Sequence, residues 1–268
     1  MQSTRKSAII NVIERAARKA ARGLARDFGE VEQLQVSRKG PADFVTAADL
    51  KAEQVLREEL TKARPKFSFL LEEQGEIAGE DEHNCWIVDP LDGTTNFLHG
   101  IPHFAISIAH QRDGEIIAAA VYEPVHDEFF WAERGIGAYL NDQRLRVSGR
   151  TVLAESLIAT GLPFKGHDPE PRYFQTLQAM VQEVAGVRRF GSAALDLAYL
   201  AAGRYDGFWE FGLEPWDIAG GLLLVREAGG MVSDFDGRTN VLASGNILAS
   251  NEKLHNDLAQ LLKKALAG

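Results

Sequence analysis

The sequence predicts an α+β protein of layered helices and sheets. Three observations carry this. Apolar residues recur at helical spacing from Ile9 to Phe28, short apolar strands follow one another between Phe67 and Ser148, and strands alternate with helices after about Arg150.

The first helix is read from Ile9, Ile10, Ile13, Ala16, Ala17, Ala20, Leu24 and Phe28, with Gly29 closing it. A second helix starts near Thr46, with Asp49 three positions on in a capping-box-like arrangement, and runs to about Leu60. Phe67–Leu71 and Cys85–Asp89 are buried-strand runs, and the segment between Val36 and Asp43, with Ser37-Arg38-Lys39-Gly40-Pro41, reads as a loop. Phe104–Gln111 and Glu115–Glu123 flank Asp113-Gly114, a hairpin signal. Glu128–Glu133 and Arg144–Ser148 continue the sheet, with Asn141-Asp142 as a turn.

In the second half, Leu157–Thr160, Val187–Phe190, Tyr205–Phe211, Met231–Ser233 and Ile247–Ala249 read as strands. Helices are expected at Pro171–Val184, at Ala193–Ala202 with Ser192 as N-cap and Gly203 as stop, at Pro215–Ala228 before Gly229-Gly230, and from Asn251. No repeat, low-complexity tract or Pro/Ser linker divides the chain. The expectation is one compact unit, 1–268, with subdomains 1–150 (helices and a mainly antiparallel sheet) and 151–268 (the α/β half).

At 268 residues and 45% hydrophobic content, the chain is long enough to bury a substantial core. A formal net charge of −9 argues against a nucleic-acid backbone as the main partner, because phosphate neutralisation needs clustered Lys and Arg. The basic patches Arg15-Arg18-Lys19-Arg22 and Arg144-Arg146 read as solvated faces. The single cysteine, Cys85, excludes an internal disulfide and a multi-cysteine zinc site, and its apolar run gives it a packing role. No stretch approaches about 20 apolar residues, so a cytoplasmic, non-membrane protein is expected.

Asp89-Pro90-Leu91-Asp92-Gly93-Thr94-Thr95-Asn96 is the most informative segment. Asp89 leaves a strand end, Pro90 fixes φ, and Asp92 can turn back toward the same point. Gly93 permits close backbone approach, and its N–H with those of Thr94 and Thr95 can cradle an anion. Alone, Asp-x-x-Asp-Gly is equally an ordinary turn. Other acids converge, however: Glu72-Glu73 leaves the strand Phe67–Leu71, and Asp217 sits in the first turn of a helix, where a capping role competes with a ligand role. Two carboxylates about 4 Å apart repel by roughly 4 kcal/mol at a surface-like dielectric, a penalty a divalent cation removes. All-oxygen ligands select Mg²⁺ or Mn²⁺ over zinc. The seven histidines show no metalloprotease spacing, His99 and His103 are separated by helix-breaking Gly100 and Pro102, and neither a P-loop nor a nucleophile elbow is present. Attack on phosphorus by metal-activated water is therefore expected over a covalent enzyme intermediate.

Glu72-Glu73, Asp89-Pro90-Leu91-Asp92-Gly93-Thr94 and Trp216-Asp217-Ile218-Ala219-Gly220-Gly221, in this order, resemble the inositol monophosphatase family, as does Asp43-Phe44-Val45-Thr46-Ala47-Ala48-Asp49. Ala159-Thr160-Gly161-Leu162-Pro163-Phe164 and Gly191-Ser192-Ala193-Ala194-Leu195-Asp196 are similar to its bacterial branch. The resemblance implies a layered αβαβα sandwich of the inositol monophosphatase and fructose-1,6-bisphosphatase type, usually a homodimer, inhibited by Li⁺. It implies two Mg²⁺, one on Glu72, Asp89 and the Leu91 carbonyl, the other on Asp89, Asp92 and Asp217. A weaker third would rest on Glu72 and waters. Thr94, Asp49 and Glu72 are the implied catalytic group, Thr94 with Asp49 orienting the attacking water and an Asp217-oriented water protonating the leaving alkoxide. The implied substrate contacts are Leu91, Asp92, Gly93, Thr94, Ala193, Glu210, Asp217 and Arg188, the last equally suited to a dimer contact.

An inositol 1-phosphate-like polyol phosphate is the first substrate expectation, since Glu210 can accept hydrogen bonds from adjacent hydroxyls. Fructose 1,6-bisphosphate comes next, and histidinol phosphate, NADP and adenosine 3′,5′-bisphosphate are handled on the same scaffold. A reading of another class is a protein partner in transcription antitermination with secondary catalysis.

Overall fold

Ser7 accepts a hydrogen bond from the Ile10 amide and opens α1 (Ala8–Phe28), which buries the stripe its spacing predicts, Ile10, Ile13, Ala16, Ala17, Ala20 and Leu24. Gly29 ends it, but at φ −69°, a conformation open to any residue. The computed structural model describes residues 6–30, 36–38, 44–162 and 172–267, without the side chains of 36–38 and 44–46. The Thr46 side chain, on which the capping-box expectation rests, therefore lies outside the described residues, as do 39–43, Pro163, Phe164 and Pro171. β1 (Val36–Arg38) and β2 (Phe44–Thr46) pair antiparallel, correcting the loop expected from Val36. Strand pairing, not local propensity, makes them strands.

α2 (Ala47–Ala63), β3 (Phe67–Leu71), β4 (Gly75–Ile77) and β5 (Asp81–Asp92) follow, with the short helix α3 (Thr94–Leu98) directly after β5. β6 (Ala105–Arg112) and β7 (Glu115–Glu123) form the expected hairpin, with φ positive at both Asp113 (51°) and Gly114 (82°), as a type I′ turn requires. β8 (Glu128–Glu133), β9 (Gly137–Leu140) and β10 (Gln143–Arg144) complete this sheet. The strand expected at Arg144–Ser148 ends at its first residue. β9, short and opening on Gly137, is defined by its pairing with β8.

The second half brings β11 (Leu157–Thr160), α4 (Tyr173–Glu183), β12 (Gly186–Arg188), α5 (Ala193–Ala201), β13 (Gly207–Glu210) and α6 (Pro215–Glu227). β14 (Gly230–Ser233), α7 (Val241–Ser244), β15 (Ile247–Asn251) and α8 (Glu252–Ala267) close it. The expected N-cap holds: Ser192 accepts from the Leu195 amide.

Eight strands form one sheet in the order β10-β9-β8-β7-β6-β5-β3-β4, and five form the other in the order β12-β11-β13-β15-β14. The large sheet is antiparallel except for β3–β5; the small one is parallel from β12 through β13 and antiparallel beyond. Side-chain alternation sorts the core into layers. Trp86, Val88, Ile106 and Ile108 face α1 and α2, while Ile87, Ala105 and Ala109 face α5 and α6. On the small sheet, Ala159, Phe208 and Ala249 meet α5 and α6 from the other side, and Ile158, Trp209 and Leu248 face α4 and α8. The layers run α1/α2, large sheet, α5/α6, small sheet, α4/α8, which is the αβαβα sandwich. The Gly220-Gly221 pair lets α6 sit in the middle. A Cβ at Gly220 would lie 2.6 Å from Ser107 Oγ, and one at Gly221 2.3 Å from the Leu197 Cβ of α5.

Candidate active site

Period-two alternation aims the acids before any contact is considered. Asp89 shares the face of Ile87, and Glu210 the face of Phe208, so both point into the α5/α6 layer from opposite sheets. Helices α5 and α6 start between them, and Asp217 stands in the first turn of α6.

A register shift between Asp89 and Asp92 bulges β5 away from β6, turning both carboxylates toward one region. The Leu91 amide closes this bend on Asp89 Oδ1 (2.9 Å). Gly93 follows at φ 98°, and a Cβ there would lie 2.9 Å from the His103 carbonyl oxygen, so both conformation and space require glycine. Thr94 donates its hydroxyl proton to the Leu91 carbonyl (2.9 Å). Asp92 Oδ2 accepts from the Ser192 hydroxyl and the Ala194 amide, each at 2.7 Å, so it caps α5 across the layer. Asp217 Oδ2 accepts from the Glu214 amide (2.8 Å), the reciprocal half of a capping box. The capping expectation for Asp217 is thus borne out alongside its place among the acids.

Glu72 leaves β3 beside β5, and its carboxyl is in hydrogen-bonding contact with that of Asp89. Burial, then Glu72, Asp92 and Asp217, raise the Asp89 carboxyl well above the ordinary range. Burial and Asp92 do the same to Asp217. Asp92 rises only to about 6, because burial is opposed by the bonds from Ser192, Ala194 and Ala193. Burial, then Asp217 and Asp92, push Glu210 up to about 8. Glu210 occupies space that only glycine leaves open: a Cβ at Gly161 would fall 1.7 Å from its Oε1.

Like charges held this close call for a proton or a cation between them. The donors are carboxylate and carbonyl oxygens, which fit a hard divalent ion. Among the described residues, no three Asp, Glu, His or Cys side chains stand at the spacing of a closed ligand set. Asp89, Asp92 and Asp217 each give one oxygen to a donor within the chain.

Glu72, Asp89, Asp92, Glu210 and Asp217 are thus in electrostatic contact, with Leu91, Gly93, Thr94 and Ala193 on the segments that hold them. Asp49 is buried in the first turn of α2. Arg188 does not join them: it is exposed, and its Nη1 donates to the Val187 carbonyl. Its neighbour Arg189 does, lowering the carboxyls of both Glu210 and Asp196. Asp196, one turn into α5, was missed by the sequence reading. It is 1% exposed, its Oδ1 has no hydrogen-bond partner among the described residues, and burial with Glu210 and Asp92 raises its carboxyl far up. An acid inside the apolar run Ala193–Ala201 was the available signal. Glu53 was also missed; fully buried, it accepts from the Glu73 amide and Gln74 Nε2, both at 2.8 Å, and so fixes the chain beside Glu72.

Among the described residues, no helix is long and apolar enough to cross a membrane. The model of the inositol monophosphatase family matches residues 5–267. An inositol-1-monophosphatase of Mesorhizobium japonicum is 56% identical over 262 residues, 98% of each chain. Nus factor SuhB of Escherichia coli K12 is 48% identical over 246 residues, 92% of each. The crystal structure of extragenic suppressor protein suhB from Bartonella henselae superposes with a TM-score of 0.93 at 56% identity, covering 96% of this chain and 99% of that one. The Thermotoga maritima IMPase gives 0.87 at 34% identity, covering 97% and 99%. With this sandwich and this gathering of acids, the chain belongs to the inositol monophosphatase family.

Proposed function

We propose that the chain is a Mg²⁺-dependent phosphomonoesterase that releases phosphate from inositol 1-phosphate-like polyol phosphates. The observation that carries this is the convergence of Glu72, Asp89, Asp92 and Asp217, whose carboxyls are held out of their ordinary range by one another and by burial. These four and the Leu91 carbonyl would hold Mg²⁺, which would supply neutralising charge, a lowered pKa for water and support for the leaving alkoxide. The chain supplies orientation. Asp92 is fixed by Ser192 and Ala194 before any ligand arrives. With its proton committed to Leu91, the Thr94 hydroxyl offers lone pairs that accept from the attacking water and aim it at phosphorus. The Gly93 and Thr94 amides face the phosphate, and Asp217 orients the water that protonates the departing oxygen. Glu210 accepts hydrogen bonds from the polyol, and Ala193 leaves room for its ring. An inositol-1-monophosphatase name on a relative 56% identical across 98% of the chain supports this substrate class over fructose 1,6-bisphosphate.

Phosphate release from inositol 1-phosphate, fructose 1,6-bisphosphate, histidinol phosphate, NADP and adenosine 3′,5′-bisphosphate tests the proposal. Each is run with Mg²⁺, with chelator and with Li⁺. Mg²⁺-dependent, Li⁺-sensitive turnover strongest on inositol 1-phosphate is expected; strong preference for another substrate overturns the substrate, and turnover in chelator overturns the metal.

The relatives named Nus factor SuhB, 47–48% identical to this chain, favour a second reading, association with the transcription machinery. Capture of elongation complexes by the tagged full-length chain tests it, and survival of the cellular phenotype in an Asp92→Asn strain would separate that role from catalysis.

A further inference from the structure

A cleft of ≈480 Å³ opens on the opposite face of the large sheet, between the start of α1 and the far ends of β6 and β8. Arg64, Arg112 and Arg134 line it with a single acid, Glu133, in a chain whose net charge is −9. Their charges are weakly compensated. The Arg64 Nη1 donates to the Ala63 carbonyl, and the Arg112 Nε to Asn84 Oδ1 at 3.2 Å. Arg134 stands 3.6 Å from the exposed Glu115. The first turn of the 21-residue α1, through Ser7, Ala8 and Ile9, adds the positive end of a helix.

His110 provides an independent observation. It lines the same cleft, is 1% exposed, and its Nδ1 has no hydrogen-bond partner among the described residues. Its tautomer follows from its neighbours. Asn84 Nδ2 donates to Asp81 at 2.9 Å, so Asn84 Oδ1 is an acceptor, and His110 Nε2, 2.7 Å away, carries the proton. Nδ1 is then a lone pair among cations, matched by a ligand bearing negative charge and a hydroxyl or P–OH donor.

We propose that this cleft binds a small phosphate monoester, its phosphate held by Arg64, Arg112 and Arg134 at the start of α1. The site is distinct from the acid cluster. On β6, Ala105 pairs with Asp92 but His110 pairs with Trp86, five residues along, about 17 Å at the strand rise, and the ring shares the face of Trp86 rather than that of Asp89. The volume exceeds what bare phosphate fills, which favours a phosphorylated metabolite over the free anion.

Isothermal titration of the full chain in chelator, where the metal-dependent site is disabled, tests this with inorganic phosphate, glycerol 3-phosphate and AMP as probes. A phosphate ester is expected to bind more tightly than phosphate. The Arg64→Gln/Arg112→Gln variant should lose at least about tenfold in affinity, with Mg²⁺-supported turnover unchanged and Asp92→Asn binding as the parent does. If the double variant fails to fold, Arg134→Gln, on an exposed turn, carries the same expectation. Absence of binding, binding indifferent to the arginines, binding lost in Asp92→Asn, or an acidic peptide displacing the ester would each overturn the assignment.

Discussion

On the α1–α2 surface, Glu59 lies 2.8 Å from Lys19 Nζ and 2.9 Å from Lys62 Nζ, which pull its carboxyl down to about 2. At the end of β13, Glu210 is pushed to about 8 by burial and by two other acids. The same residue type is neutralised by partners in one region and left among like charges in the other. Charged helices that only need to stay soluble and packed collect counter-ions from neighbouring turns. The layer between the sheets collects acids instead, with Arg189 as the cation reaching Glu210 and Asp196. Strongly shifted groups gathered at strand ends and helix starts are where chemistry is expected, because such an arrangement opposes stability unless a ligand completes it.

If that contrast is right, Asp92→Asn has the largest effect. It keeps a group of the same shape under Ser192 and Ala194, so circular dichroism and Tm should stay near those of the parent while kcat falls by at least about a hundredfold. Near-normal turnover would remove Asp92 from the proposed metal site. Gly161→Ala comes next: the added methyl must displace Glu210, and kcat/KM for polyol phosphates should drop by about ten- to a hundredfold, with a smaller loss for substrates lacking hydroxyls. Glu53→Gln loosens the backbone beside Glu72, and Mg²⁺ affinity by titration calorimetry should weaken by about tenfold.

A pH experiment sharpens the comparison. Acids whose pKa is raised on folding stabilise the metal-free fold below their unfolded values, and that contribution is lost as pH rises through the folded ones, to about 8 for Glu210. His103 and His110, pushed down to about 4 chiefly by burial, act oppositely, adding stability as pH rises from about 4 toward 6.5. Above that the acids and the exposed His83, raised by Asp113, both lose stability as pH rises, and of these only the acids answer to Mg²⁺. In chelator, Tm should fall between pH 6.5 and 8, and the increase in Tm produced by Mg²⁺ should grow over the same interval; a flat difference would contradict the cluster. The smallest effect belongs to Glu59→Gln. Its stabilisation is present above pH 4.5 and lost as pH falls toward 2, so the variant should show a slight Tm loss at neutral pH, none at pH 2, and unchanged turnover.

Much of the site was legible in the chain because its acids sit beside local signals. Asp89-Pro90-Leu91-Asp92-Gly93 announces a strand end and a turn, and Pro215 with Asp217 announces a helix start. Asp196 and Glu53 gave weaker signals, since an acid inside a helix reads as a solvated face until the layer above it is known. Arg188 and Arg189 show the same limit: β12 ends at Arg188, whose pairing with Ala159 gives it the face of Phe208, yet it is Arg189, just past the strand, that acts on Glu210, and only the folded chain decides this.

By itself, the sequence determined the helices of strong periodicity, the hairpin at Asp113-Gly114, the oxygen character of the proposed metal site and the family. These follow from local spacing and from residue types whose chemistry does not depend on neighbours. The tertiary structure decided that β1, β2 and β9 are strands, that Asp92 caps a helix 100 residues away, and that Gly161 makes room for Glu210. Those outcomes depend on ladder partners and close approaches between segments distant in the chain, and no local pattern encodes a distance.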